Sequence, residues 1–190
     1  MRGKQKARKE KKKTGQGVKT DLGEARALLA EYGFWIQQVA GDGNCLFRSF
    51  ALQHCGDENR HSEYRKACCD YMTEHEDDFT SFFDAEEDSC ESFSDYVSNM
   101  RESSQWGSQL ELSALCLCYN ISAVVFQAAG VHYELGMAEP HQKVVLISFH
   151  DEEHFNAVSH GSYDELLTLS EVRKRLQPRK KKVPQVVVQV

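Results

Sequence analysis

The sequence predicts an α+β domain, with helices packed on a small central sheet. Three observations point there: apolar residues recur at helical spacing between Asp21 and Tyr119; three β-rich runs follow between Ile121 and Phe149; and no internal repeat interrupts that order. With 190 residues, the chain has room for one domain and two tails.

The elements can be argued in turn. Asp21 is a candidate cap for a first helix to about Tyr32, with Ala25, Leu28 and Leu29 on one face, and Gly33 ends it. Phe34 to Val39 reads as a short strand. Gly41-Asp42-Gly43-Asn44 is a tight turn, because Gly and Asn tolerate positive φ. A helix follows from Cys45 to about Cys55, and another from Arg60 to about His75, carrying Tyr64, Ala67, Cys68 and Tyr71 at helical spacing. Phe79 to Glu87 is a loop or short helix, and Cys90 to about Met100 a further helix. Ser108 and Glu111 have capping-box spacing and open a helix spanning Gly107 to Tyr119. Strands are expected at Ile121–Gln127, Val131–Leu135 and Val144–Phe149, with a short extended piece at Asn156–Val158. Ser162 and Glu165 repeat the capping-box spacing and predict an amphipathic helix to about Leu176, stopped by Pro178. The organisation is thus a basic disordered tail at 1–19, a domain at 20–161, a helix at 162–177, and a basic, valine-rich tail at 178–190.

Charge is segregated. Residues 1–19 hold nine Lys/Arg and one acid, and residues 171–190 hold seven and one. Residues 20–170 hold seven basic and 27 acidic residues, so a formal charge of −6 for the whole chain hides a strongly acidic body. An acidic body disfavours nucleic-acid binding and suits a basic protein partner. The basic tails leave open nuclear targeting or contact with RNA or ribosomes. No run approaches the roughly 20 apolar residues of a membrane span, and the N-terminus lacks the apolar core of a signal peptide. Seven cysteines without paired zinc spacing read as reduced thiols, with the chain in the cytosol or the nucleus; Cys116 and Cys118 read as core residues, and the chain is separately expected to be a monomer.

One cysteine is different. Cys45 follows the glycine turn and starts a helix, where unpaired N–H groups and the helix dipole favour a thiolate. Far downstream stands His154-Phe155-Asn156. On an extended segment His154 and Asn156 share a face, so the amide can fix the imidazole's tautomer. That is a nucleophile–base–orienter pattern, with His154 as base for Cys45. Asp42 has three competing roles: turn former, orienter of His154, or shaper of an oxyanion hole. The hole would use the N–H of Cys45 and those of the Asp42-Gly43-Asn44 turn. Gly43 and Asn44 are candidate substrate contacts. Trp106 either walls a substrate channel or covers the core. His150 and His154 have an i, i+4 metal spacing, but that requires a helix where a strand and turn are expected. The Gly41-x-Gly43 pair lacks a third glycine and is not a dinucleotide loop.

These residues carry a resemblance. The string Gly41-Asp42-Gly43-Asn44-Cys45-Leu46-Phe47-Arg48-Ser49 with the late His154-Phe155-Asn156 is similar to the ovarian tumour (OTU) family of cysteine deubiquitinases. Trp106-Gly107-Ser108-Gln109-Leu110-Glu111-Leu112-Ser113-Ala114-Leu115 resembles that family's Trp-Gly-x-x-x-Glu-Leu-x-Ala-Leu block. The three blocks occur in family order across roughly Glu31 to His160, and the D-type subgroup looks nearest. Phe155 stands where many members carry Tyr, which keeps the ring and loses a hydroxyl. The resemblance implies a papain-like fold. It also implies a thiol-dependent ubiquitin isopeptidase acting on ubiquitin or polyubiquitin chains without metal or cofactor, and a catalytic contribution from Asp42. A non-catalytic ubiquitin-binding module and an RNA- or ribosome-associated protein are the alternatives.

Overall fold

The computed structural model describes residues 21–85, 89–127, 131–137, 139–151, 153–161 and 165–177. Both basic tails, including the valine-rich end, lie outside these residues. The elements run α1 (Asp21–Glu31), β1 (Trp35–Gln37), α2 (Cys45–Cys55), α3 (His61–Glu74), α4 (Glu76–Phe79), α5 (Phe93–Met100), α6 (Gln109–Cys118), β2 (Ser122–Phe126), β3 (His132–Leu135), β4 (Val144–His150), β5 (His154–Ser159) and α7 (Leu169–Arg175). Short 3₁₀ turns at Glu58–Arg60 and Thr80–Phe82 link the early helices.

The strands form one sheet in the order β1-β5-β4-β2-β3. Only β2 and β4 are parallel; the other pairs are antiparallel. Both faces of the sheet are covered, so its central strands are near-continuous apolar runs. The period of two divides those runs between two cores. Ala123, Val125, Val145, Ile147, Phe155 and Ala157 pack with α2, α3, α5 and α6. Val124, Phe126, Val144, Leu146 and Val158 pack with Phe34, α1 and α7.

The expected α+β order is present, with local differences that have physical causes. The first strand is ladder-paired only from Trp35 to Gln37, opposite Ser159 to Ala157, and beyond it the Val39 N–H bonds to the Asn156 side chain instead of to the ladder. The helix expected from Cys90 begins at Phe93, where Ser92 caps it by accepting from Asp95 N. The short extended piece expected at Asn156–Val158 is a full six-residue strand, paired with β4 across a tight hairpin turn in which Asp151 has φ +54. The last helix does not open at Ser162. Ser162 itself lies outside the described residues, and the capping box belongs to Thr168 and Glu171. Up to Thr168 the chain is held extended by the Lys143–Thr168 bridge and by Val144 N donating to Leu167 O. From Leu169 the helix buries Leu169 and Val172 against the sheet, and Arg173 forks onto Glu134 of β3 at 2.6 and 2.9 Å.

Helix α2 is the hub that places the site. Leu46, Phe47, Phe50 and Ala51 are all 1 % exposed or less, which seats α2 on β4 and β5. The β5 ladder with β4 begins at Ile147, and the Leu146 N–H is taken instead by the buried Gln53 side chain of α2 at 3.1 Å. Gln53→Leu should leave that N–H buried and unpaired. The expected loss is about 1–3 kcal/mol in a denaturant titration, with the slope m unchanged.

Candidate active site

The site starts from the loop between β1 and α2. Gly43 has φ +83, and a Cβ there would lie 2.3 Å from the Ser104 carbonyl oxygen. Conformation and crowding both demand glycine. Asp42 Oδ1 accepts from Asn44 N at 3.1 Å, closing the turn on itself. Arg48, one turn into α2, forks back onto the Asp42 carboxylate with contacts of 2.7 and 3.2 Å. The Arg48 guanidinium holds the Asp42 carboxyl well below the usual carboxylate range.

Cys45 is the first residue of α2 and is 8 % exposed. Asn44 precedes it at the N-cap position, but its side chain does not cap the helix. Asn44 Oδ1 accepts instead from an Arg65 nitrogen at 2.9 Å and from Ser104 N at 3.1 Å. The first-turn N–H groups of α2 are therefore not consumed by the Asn44 side chain, and Cys45 stands at the positive end of the helix dipole. Three of the other cysteines are poor nucleophiles: burial pushes the Cys68 thiol well up, Cys69 up to about 11 and Cys116 up to about 12. Cys116 is a core residue as expected, while Cys118 is only half-buried.

His154 opens β5, and its ring is half-buried. Asn156 lies two residues on and is 1 % exposed. Asn156 Oδ1 accepts from Val39 N at 3.2 Å and lies 3.2 Å from His154 Nε2. Because this oxygen is the acceptor, Nε2 is the donor, and in the neutral tautomer that fits this bond the lone pair falls on Nδ1. That edge of the ring faces the nucleophile loop, since a methyl group on Gly41 would sit 3.8 Å from Nδ1. The same-face relation expected of His154 and Asn156 is therefore realised as a hydrogen bond.

Asp42 does not take that place. Its carboxylate is engaged by Arg48 and the Asn44 N–H. Nor is the Asn44 N–H open to an incoming oxygen, since Asp42 already holds it. The Asn44 side chain points into the loop's support and not toward the cleft. Trp106 is 61 % exposed and does not cover the core. It edges a cleft shared with Gln109, Tyr133, Phe149, Glu153 and Phe155. The next residue, Gly107, abuts the start of α2, where an added Cβ would lie 2.6 Å from Leu46 Cδ2. Glu111 fixes this corner by accepting from Ser108 N, Ser108 Oγ and Tyr96 OH at 2.6 to 2.9 Å. His150 and His154 face each other across the β-hairpin, and no cluster of three or more metal-ligating side chains occurs among the described residues.

Sequence reasoning missed Arg48 and Arg65. Arg48 was legible as a base one helical turn past Cys45, within reach of Asp42. Arg65 was marked only by being a cation on the buried stripe of α3 that carries Tyr64, Cys68, Cys69 and Met72.

The profile of a family described as OTU-like cysteine protease matches residues 40–155, most of the chain and the site from the nucleophile loop through His154, ending one residue before Asn156. The chain belongs to that family. OTU domain-containing protein 4 of Homo sapiens is 30 % identical over 151 residues, covering 80 % of this chain and 13 % of that protein. Ovarian tumor domain-containing deubiquitinating enzyme 7 of Arabidopsis thaliana is 31 % identical over 144 residues, covering 75 % of this chain and 37 % of its own length. The chain thus spans well under half of these curated relatives. Among solved structures, the OTU domain of OTUD1 superposes with a TM-score of 0.64 at 19 % identity, over 74 % of this chain and 95 % of that one. An OTU deubiquitinase of Wolbachia pipientis bound to ubiquitin gives 0.53 at 20 % identity, over 72 % and 97 %. These likenesses establish the papain-like OTU fold.

The Asp42–Arg48 pair has a pH signature. The carboxyl is more acidic folded than unfolded, so its contribution to stability is complete above the ordinary carboxylate value and is lost as pH falls toward the folded one. Both side chains meet solvent, so screening limits the contribution to about 1 kcal/mol. The stability gap between wild type and Asp42→Asn should be flat from about pH 6 to 9 and shrink below about pH 4. Thermal unfolding across that range measures it.

Proposed function

We propose that this chain is a thiol-dependent deubiquitinase that hydrolyses isopeptide bonds at the C-terminal glycine of ubiquitin. One observation carries the reading: a histidine ring anchored at Nε2 by a buried amide, with its free Nδ1 turned toward the loop that delivers a helix-N-terminal cysteine. Cys45 Sγ attacks the glycine carbonyl carbon while His154 Nδ1 accepts the thiol proton. The carbonyl oxygen gathers negative charge against the Cys45 N–H and the turn beside it. The C–N bond then breaks as His154 passes its proton to the departing lysine amine, leaving a thioester on Cys45. Water, deprotonated by His154, attacks that thioester and releases ubiquitin with a free carboxylate. Asn156 keeps the imidazole in the productive tautomer, and Asp42 acts through the loop it shares with Arg48.

The surroundings suit such a substrate. A Gly-Gly terminus suits the glycine-rich loop before Cys45, which carries little side-chain bulk to block its approach. The acidic body suits ubiquitin's arginine-bearing tail. Helix α4 adds exposed Glu76, Asp77 and Asp78, and the nearby Phe82 is 72 % exposed, an apolar group framed by acids that suits a basic partner. The family's name, a relative named as a deubiquitinating enzyme, and an OTU neighbour solved with ubiquitin support the same choice.

Cys45→Ala should reduce di-ubiquitin cleavage by at least about a thousandfold while leaving the unfolding temperature within a few degrees of wild type. A ubiquitin probe with a C-terminal electrophile should form an adduct at Cys45. Tight probe binding without an adduct, in an inactive wild type, would instead make the chain a ubiquitin-binding module.

A further inference from the structure

Arg65 lies on α3, outside the nucleophile loop, and is 3 % exposed. One terminal nitrogen donates to Gly43 O at 3.2 Å, Asn44 Oδ1 at 2.9 Å and Gln105 O at 2.7 Å. The other donates to Met100 O at 2.9 Å. The guanidinium carbon sits 4.1 Å from the centroid of the Phe47 ring. All of these acceptors are neutral, and among the described residues no carboxylate is bonded to this cation. Burying a charge on such terms is costly, so stability alone is a poor reason for its presence. A planar fork that reaches several carbonyls from a fixed position is what distinguishes arginine from lysine here.

The Gly43–Asn44 peptide is held at both ends. Its carbonyl is bonded to Arg65, and its N–H is bonded to Asp42, whose carboxylate Arg48 grips in turn. A glycine at φ +83 makes rotation of this peptide plane sterically easy. Rotation would aim the Gly43 oxygen at the Asp42 carboxylate, and loss of either bond would free Asn44, whose own carbonyl forms the next peptide with the Cys45 N–H. Through Gln105 and Met100, Arg65 also ties the loop to the segment leading to Trp106.

We propose that Arg65 is a positioning residue for the reaction: together with the Asp42–Arg48 pair it clamps the Gly43–Asn44 peptide from both sides and so fixes the direction of the Cys45 N–H that receives the oxyanion. The inference rests on the thiol-protease reading above.

The test uses the full chain with Arg65→Lys, which keeps the charge and removes the fork. Three quantities are compared with wild type: kcat and KM on a fluorogenic amide of the ubiquitin C-terminus, the pH profile of Cys45 alkylation by iodoacetamide, and the unfolding temperature. Alkylation displaces iodide and builds no oxyanion, so the clamp should not affect it. The expected result is a fall in kcat of about 10- to 100-fold, with KM changed by no more than about twofold and the alkylation profile unmoved. A folded variant with kcat within about twofold of wild type overturns the inference, and so does a parallel loss of hydrolysis and alkylation. Should Arg65→Lys fail to fold, Arg48→Lys at the other end of the clamp carries the same expectation and the same refutation. A wild type that alkylates at Cys45 but hydrolyses nothing would sink the protease reading itself.

Discussion

One amide oxygen joins the two halves of this molecule. Asn156 Oδ1 accepts the Val39 N–H, in the segment just before the glycine turn, and meets His154 Nε2 on its own strand. The first contact pins the approach to the nucleophile loop against β5, and the second sets the tautomer of the base. The Asn156 oxygen cannot turn to water, because Asn156 is buried. An unmade hydrogen bond at that depth is expensive, so the positions of base and loop are coupled through a single atom.

The rest of the fold serves that junction by making its components rigid. Strand β5 lies between β1 and β4, with helices on both faces of the sheet, so His154 projects from a strand that has little freedom. Helix α2 is anchored by Phe47 and Phe50 below and by Gln53 reaching the backbone of β4. The nucleophile loop is short of side-chain bulk and rich in glycine, which lets Ser104 approach closely but offers little stiffness of its own. The stiffness comes from two arginines outside it, one exposed enough to pair with Asp42 and one buried on α3.

How legible each part was depended on how local its cause is. The α2 start, the Ser108–Glu111 capping box and the β-rich runs are written in neighbouring residues, and they are found where the sequence placed them. Ser162–Glu165 had the same spacing as the box that is used, Thr168–Glu171; the choice was made by Lys143 and Val144 holding the chain extended as far as Thr168. Strand β5 was underestimated because half of its apolar pattern is interrupted by His154 and Asn156, the polar pair placed there for chemistry. Arg65 could not be found from spacing, since its acceptors lie 21 to 40 residues away.

By itself the sequence determined the α+β order, the helix-borne cysteine and the pairing of His154 with Asn156, because turn chemistry, helix capping and strand alternation act over a few residues; the family followed from the resemblance of three blocks to known members. Only the tertiary structure decided that Asp42 pairs with Arg48 and not with His154, that Asn44 faces inward, that Trp106 stands at an open cleft, and that Arg65 grips the loop. Those outcomes depend on which distant groups reach a given acceptor first, and that competition is settled by packing.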